Sequence, residues 1–209
     1  MKNIAIFYHV FQADGWELMY QSQIHRLHAS GLHEQADTIK ICISGNKDLP
    51  YIPKKAEVIR NQDTSSEAST LKELWQYAKT CSTNTKILYM HTKGISNKSL
   101  QTDAWRLYME YFLLDQWESC LEILKSHPCC GVQFHRNYHF PHFSGNMWWA
   151  TSEHVASLND DQLKHRAGCE FWVCSSFAPG TDKPYCMHMP PDAMNLYHSI
   201  IQPKHFIVK

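Results

Sequence analysis

The chain has 209 residues, 44% of them hydrophobic, enough for one sizeable core or a core with a small appendage. Twenty Lys and Arg balance twenty Asp and Glu, and no basic block or Arg-rich helix occurs, which argues against nucleic-acid binding because that needs an electrostatic footprint. No segment approaches the ~18 consecutive apolar residues of a membrane span, and Met1 leads into a strand-length run instead of a signal peptide. The expectation is a single domain over residues 1–209, cytoplasmic, with no transmembrane segment.

Taken in chain order, Asn3 to Val10 reads as a buried strand ending in polar Tyr8 and His9. After Asp14-Gly15, Trp16 to Ala29 puts Leu18, Met19, Ile24 and Leu27 on roughly one helical face, with Gly31 as a stop. Thr38 to Ile43 and Ala56 to Arg60 are strands. A helix from about Glu67 to Thr80 follows, carrying Leu71, Leu74, Trp75 and Ala78, with Ser65 or Ser66 as its cap. Lys86 to His91 is the next strand, and it stops abruptly in His91-Thr92-Lys93-Gly94. This alternation is that of a nucleotide-binding α/β half, spanning about 1–95.

The second half, about 96–209, is less regular. Leu100 to Lys125 is a long amphipathic helical stretch whose aromatic stripe, Trp105 to Trp117, is explained by core packing. Strands are expected at Gly131 to His135, Ser144 to Thr151 and Pro184 to Met189, a short helix at Cys169 to Ser175 and a final helix near Asp192 to Ile201. On the Ser144 to Thr151 strand, Trp148 and Trp149 alternate, so at most one faces a ligand.

The eight cysteines show no Cys-x-x-Cys, and several lie in apolar surroundings such as Ile41-Cys42-Ile43; reduced, mostly buried thiols are expected, with structural zinc the alternative. Gly-x-Gly-x-x-Gly, a Walker A loop and Gly-x-Ser-x-Gly are all absent, which argues against dinucleotide enzymes, P-loop proteins and α/β-hydrolases. What remains is polar groups at strand ends: Tyr8 and His9, His91 to Lys93, His142 to Asn146, Glu170 and His188. In open α/β sheets ligands collect outside the carboxyl ends of strands, and such a set suits a nucleotide-activated small molecule.

The strings Ile-Leu-Tyr-Met-His91-Thr92-Lys93-Gly, Asp103-Ala-Trp105-Arg106, Pro-His142-Phe-Ser-Gly145-Asn146-Met-Trp148-Trp149-Ala and Glu170-Phe-Trp172 span nearly the whole chain. They resemble small GT-A-fold glycosyltransferases of bacterial polysaccharide loci and large DNA viruses, among them amino-terminal domains of chlorella-virus proteins that build capsid glycans. The resemblance implies a GT-A-like α/β fold with a central mixed β-sheet flanked by helices. It implies an enzyme that moves a hexose or deoxyhexose from a UDP-sugar donor to a glycan or glycoprotein acceptor, with retention of configuration, as a viral protein in the host cytoplasm or as part of a larger multidomain protein. A catalytically silent nucleotide-sugar-binding module is the alternative, and a His/Cys metal hydrolase a further one.

The resemblance also implies places for residues. His91-Thr92-Lys93 stands where GT-A enzymes usually carry Asp-x-Asp, so Lys93 would neutralise phosphate oxygens directly, or be a solvated loop lysine, and His91 would bond ribose or hold an ion. A divalent cation, Mn²⁺ or Mg²⁺, is implied by the wider fold, with His188 and His91 as candidate ligands, although one His and phosphate oxygens make a poor site. Arg106 would reach the phosphates or pair with Glu110 at i,i+4 spacing. Tyr8 would meet uracil or merely cap the core. Glu170 would act as general base in an inverting enzyme or orient the donor in a retaining one, unless the helix macrodipole alone explains it. Gly145 and Asn146 would line the sugar pocket and His142 the acceptor side, while Arg166 would pair with the acidic group or the donor.

Overall fold

A computed structural model describes residues 3–61, 67–191 and 194–207. Strand β1 (Ile4–Phe11) is apolar on both faces, as a strand covered on both sides must be. Helix α1 (Trp16–Ala29) and a single turn α2 (Leu32–Gln35) lead to β2 (Thr38–Ser44) and β3 (Ala56–Asn61). Helix α3 (Ala68–Thr80) returns the chain to β4 (Lys86–His91). The Ser65 and Ser66 cap expected for α3 lies outside the described residues.

Beyond β4, Ser99 caps α4 (Leu100–Glu110) in a reciprocal capping box with Thr102. The expected single helical stretch is divided, because α4 passes into a π-type turn at Tyr111–Asp115 before α5 (Trp117–Ile123). Then come β5 (Cys129–Gly131), β6 (Phe134–His135), β7 (His142–Phe143), β8 (Trp148–Thr151), α6 (Ser152–Ser157), α7 (Gly168–Phe171) and β9 (Tyr185–Cys186).

Seven strands form one mixed sheet in the order β3-β2-β1-β4-β8-β5-β9, and β6 and β7 pair separately. Strands β1 to β4 run parallel, while β8 runs antiparallel to both β4 and β5. The chain works outward from β1 to β3 and returns to β4 beside β1, so the strand order switches direction between β1 and β4. That is where a crevice opens at the carboxyl ends.

Side-chain alternation divides the core. Ile4, Ile6, Tyr8, Val10, Leu88, Met90 and Trp149 pack with α1 and α4, whereas Ala5, Phe7, Ile87, Tyr89 and Trp148 pack with α3 and α6. Trp148 and Trp149 are thus both core, on opposite faces, and neither faces a ligand.

Several expected elements differ. The Ser144 to Thr151 strand is formed only from Trp148 onward, and the Pro184 to Met189 strand only over Tyr185–Cys186. The Gly131 to His135 strand separates into β5 and β6, because β6 leaves the main sheet to pair with β7. The expected final helix begins outside the described residues, and 194–201 form turns; Pro190 and Pro191 precede them, and the Asn195 side chain accepts from the Tyr197 amide in a local turn that competes with helix. None of the eight cysteines is in a disulfide, and six are buried. Among the described residues no helix is long and apolar enough to cross a membrane.

Candidate functional site

Alternation along β4 sends Tyr89 and His91 to the α3 side, with their rings stacked at 6.1 Å. Opposite them stands Glu67, at the cap position of α3, on the connection from the carboxyl end of β3. Glu67 Oε2 accepts from the Tyr89 hydroxyl (2.8 Å) and from Asn146 Nδ2 (2.6 Å), and Oε1 lies 3.5 Å from His91 Nδ1. The carboxylate is enclosed by protein except at the cleft edge, where 28% of its side chain is exposed. Burial alone would raise its pKa, but His91, His9 and the two hydrogen bonds outweigh that and hold it below the usual carboxylate range. His9, next along β1, is driven down to about 4 by burial, against the pull of Glu67, and its Nδ1 meets Thr70 Oγ1 at 2.8 Å.

Gly145 links this group to the acidic residue of α7. Its carbonyl accepts from His91 Nε2 (2.8 Å), since a carbonyl can only accept, and its N–H donates to Glu170 Oε1 (3.1 Å). The backbone here has φ of 92° at Gly145 and 53° at Asn146. A Cβ at Gly145 would stand 2.6 Å from Met109 Sδ, so both the conformation and the close approach require glycine. Asn, which tolerates left-handed backbone, then spans the core: besides donating to Glu67 it accepts from Trp148 Nε1 at 3.0 Å.

At the end of β4, Thr92 Oγ1 accepts from the Phe11 amide (3.1 Å) and fastens the tips of β1 and β4 together. Lys93 extends over Trp105, its Nζ 4.3 Å from a ring centroid. Among the described residues that ammonium has no hydrogen-bond or ion-pair partner. Burial lowers its pKa, with Glu170 and Glu67 acting in the opposite sense. These groups surround a cleft of about 210 Å³, whose lining includes Phe11, Glu67, His91, Lys93, Trp105 and Arg166, with Tyr197 at its rim. Arg166 is exposed and makes no ion pair among the described residues.

The structure therefore gathers His91, Thr92, Lys93 and Arg166 on one cleft, with Gly145, Asn146 and Glu170 bonded directly to groups that line it or to its backbone support. It places four expected site residues elsewhere. Tyr8 is fully buried, donating to Gln23 Oε1 (2.6 Å), so uracil cannot reach it; Phe11, three residues further along β1, is the aromatic at the cleft. Arg106 takes the other course open to it, pairing with Glu110 (3.0 Å) inside a buried network that includes Gln23 and Arg26. His142 is buried under His135, its Nδ1 on the Phe140 carbonyl. His188 is bonded to the Tyr108 hydroxyl (3.0 Å) and stacked on Phe112, outside the cleft lining.

His188 and His91 are thus not brought together as metal ligands. His91 Nδ1 and Glu67 Oε1 are, however, two donors at 3.5 Å on the cleft edge, with the opposite ring nitrogen held by a backbone carbonyl. That donor set fits one divalent cation completed by ligand oxygens.

Sequence reasoning placed Glu67 only as a helix start and missed Phe11, and it treated Trp105 as core and Tyr197 as part of a helix. Glu67 was findable: it follows the carboxyl end of a parallel strand, where ligand-facing side chains collect. Tyr197 carried no such signal, because only the tertiary packing of a turn-rich segment brings it against Trp105 (4.9 Å).

No curated protein matches the chain. Residues 12–168 match the model of a family described as Domain of unknown function (DUF8361), a stretch crossing both halves and covering most of the chain, and this protein therefore belongs to that family.

Proposed function

We propose that this protein is a glycosyltransferase that transfers a hexose or deoxyhexose from a UDP-sugar to a glycan acceptor. The observation that carries the reading is Lys93, an ammonium held largely out of water with no ion-pair partner among the described residues, facing a cleft at the carboxyl ends of β1 and β4. A desolvated cation that no carboxylate contacts directly is costly, and an arriving phosphate relieves the cost with charge-assisted hydrogen bonds. Arg166, from the far wall, supplies a second cation suited to bidentate phosphate contact. The mixed sheet flanked by helices is in keeping with a GT-A-like arrangement.

On this reading Lys93 and Arg166 bind the diphosphate and stabilise the charge that develops as UDP departs. Phe11 offers an apolar face to the base. Glu67, with its Oε2 already occupied, keeps Oε1 for a sugar or ribose hydroxyl. Glu170, anchored through one oxygen by the Gly145 N–H, retains the other for the acceptor side. A divalent cation, where used, would be held by His91 Nδ1 and Glu67 Oε1 in place of that hydroxyl and would add neutralisation of the diphosphate.

Calorimetric titration with UDP, UDP-glucose and a GDP-sugar, each with and without Mn²⁺, tests the proposal. Selective UDP binding, with slow donor hydrolysis in the absence of acceptor, is expected. Binding without any hydrolysis points to a silent nucleotide-sugar-binding module, and no nucleotide binding overturns the reading.

A further inference from the structure

Two further cavities continue from the rim of the cleft. Tyr197, 56% exposed, lines both the cleft and a cavity of about 440 Å³ that also takes in Ser144 and Asn195. His135 and Met189 line that cavity and a third of about 660 Å³, which contains Tyr138 and Tyr185. Each of these two cavities lies within the ~300–1,000 Å³ typical of small-molecule sites. Together they form a path from the cleft across the face built by β6, β7 and β9.

The chemistry of the path is uniform. Tyr138, Tyr185 and Tyr197 are all more than 40% exposed and follow one another along the two cavities, so each offers an accessible amphipathic ring to an occupant. A pyranose presents an apolar C–H face and a rim of hydroxyls; the first suits the electron-rich face of tyrosine, the second suits amides and hydroxyls such as Asn195 and Ser144. The charged residues here cancel, since Arg136 pairs with Asp182 at 2.8 Å, so the path holds no net charge to attract an ionic ligand.

Glu170 lies behind the lining of the cleft, bonded through Oε1 to the Gly145 N–H at 3.1 Å beside Ser144, which lines the path. Its charge acts on Lys93 in the cleft, on Tyr197 at the rim and on His135 in the path. A sugar chain lying along the tyrosines would present its terminal hydroxyl to Glu170.

We infer that this path is the acceptor subsite and that it takes an extended, uncharged oligosaccharide of more than one ring, stacked on Tyr197, Tyr138 and Tyr185. The inference rests on the glycosyltransferase reading for its direction, with the non-reducing end toward the cleft, but saccharide binding itself does not depend on that reading.

The test is saturation-transfer NMR and titration of the whole protein with neutral glucan, mannan and galactan oligosaccharides, from disaccharide to hexasaccharide, at millimolar concentration. At least one series is expected to bind more tightly as it lengthens, and Tyr138→Ala and Tyr185→Ala, whose exposed positions leave the fold intact by circular dichroism, are expected to weaken the longer members about tenfold. No binding by any series, or binding indifferent to length and to both substitutions, overturns the inference. UDP titrated on the same wild-type sample separates the two proposals. UDP binding without saccharide binding sinks this one alone, and saccharide binding without UDP binding sinks the donor reading alone.

Discussion

Glu67 and Asn146 lie 79 residues apart in the chain yet are joined by a 2.6 Å hydrogen bond, which ties the start of α3 to the turn before β8 beside the cleft. Both Asn146 side-chain groups are used, one on Glu67 and one on Trp148 Nε1. Asn146→Ala leaves a buried indole N–H unpaired and removes a donor from a buried carboxylate, so a loss of about 2–4 kcal/mol is expected, read by urea unfolding. Glu67→Gln is expected to fold and to bind UDP-glucose about tenfold more weakly while changing uridine binding little; equal UDP-glucose affinity would remove Glu67 from the site.

Lys93 separates binding from stability. Lys93→Ala removes a desolvated ammonium with no ion-pair partner among the described residues, so the ligand-free protein is expected to melt at the same or a higher temperature. UDP affinity is expected to fall about tenfold or more, the loss of one charge-assisted contact, and uridine affinity to stay unchanged. A parallel loss for uridine would show that the lysine does not contact phosphate.

Arg106 is expected to behave in the opposite way. Its guanidinium pairs with Glu110, which is 1% exposed and also receives Gln23 and Arg26. Arg106→Met uncovers part of a buried charge and is expected to cost about 2–4 kcal/mol in urea unfolding, Arg26 making good some of the loss. UDP affinity of the folded protein is expected to be unchanged within about twofold, because the residue does not line the cleft. A selective loss of UDP binding with normal stability would restore Arg106 to the phosphates.

Stability is expected to fall with acidification before the carboxylates titrate. His9 has a folded pKa of about 4 against an unfolded value near 6.5, so between those values the unfolded chain binds more protons. Its contribution is fully present above about pH 6.5 and lost as pH falls toward 4, on the order of 3 kcal/mol in all. Glu67, depressed below the usual carboxylate range, acts in the same sense at lower pH. Urea unfolding at a series of pH values checks this, and His9→Asn should flatten the profile above pH 4; an unchanged slope would place the effect on another group.

Much of the framework was legible in the sequence because it is set by local pattern. The apolar runs of β1, β2 and β4 are buried on both faces, and the periodicity of α3 reflects a single packed face, so composition and spacing suffice. In α1 the spacing located the helix but only half of its face: Ile24 and Leu27 are buried together with Trp16 and Tyr20, whereas Leu18 is 75% exposed and Met19 only partly buried. The abrupt polar end of β4 likewise marked His91, Thr92 and Lys93, since a parallel strand can expose such groups only at its tip. The sequence alone was equivocal where a side chain had two partners within reach. Arg106 could turn to the cleft or to Glu110, and only the buried position of Glu110 between Gln23 and Arg26 decided it. Tyr8 stood three residues before Phe11, and the packing of α1, which puts Gln23 against its hydroxyl, turned it into the core.

What the sequence determined by itself was the order and type of the main elements and the strand end that carries polar groups. Only the tertiary structure decided which distant residues meet there. Glu67, Gly145, Glu170, Arg166 and Tyr197 come from segments with little or no periodicity, and their convergence depends on the sheet order and on two left-handed residues at 145 and 146. Contacts between segments so far apart are fixed by the packing of the whole core, and no local window of sequence contains the energy that selects them.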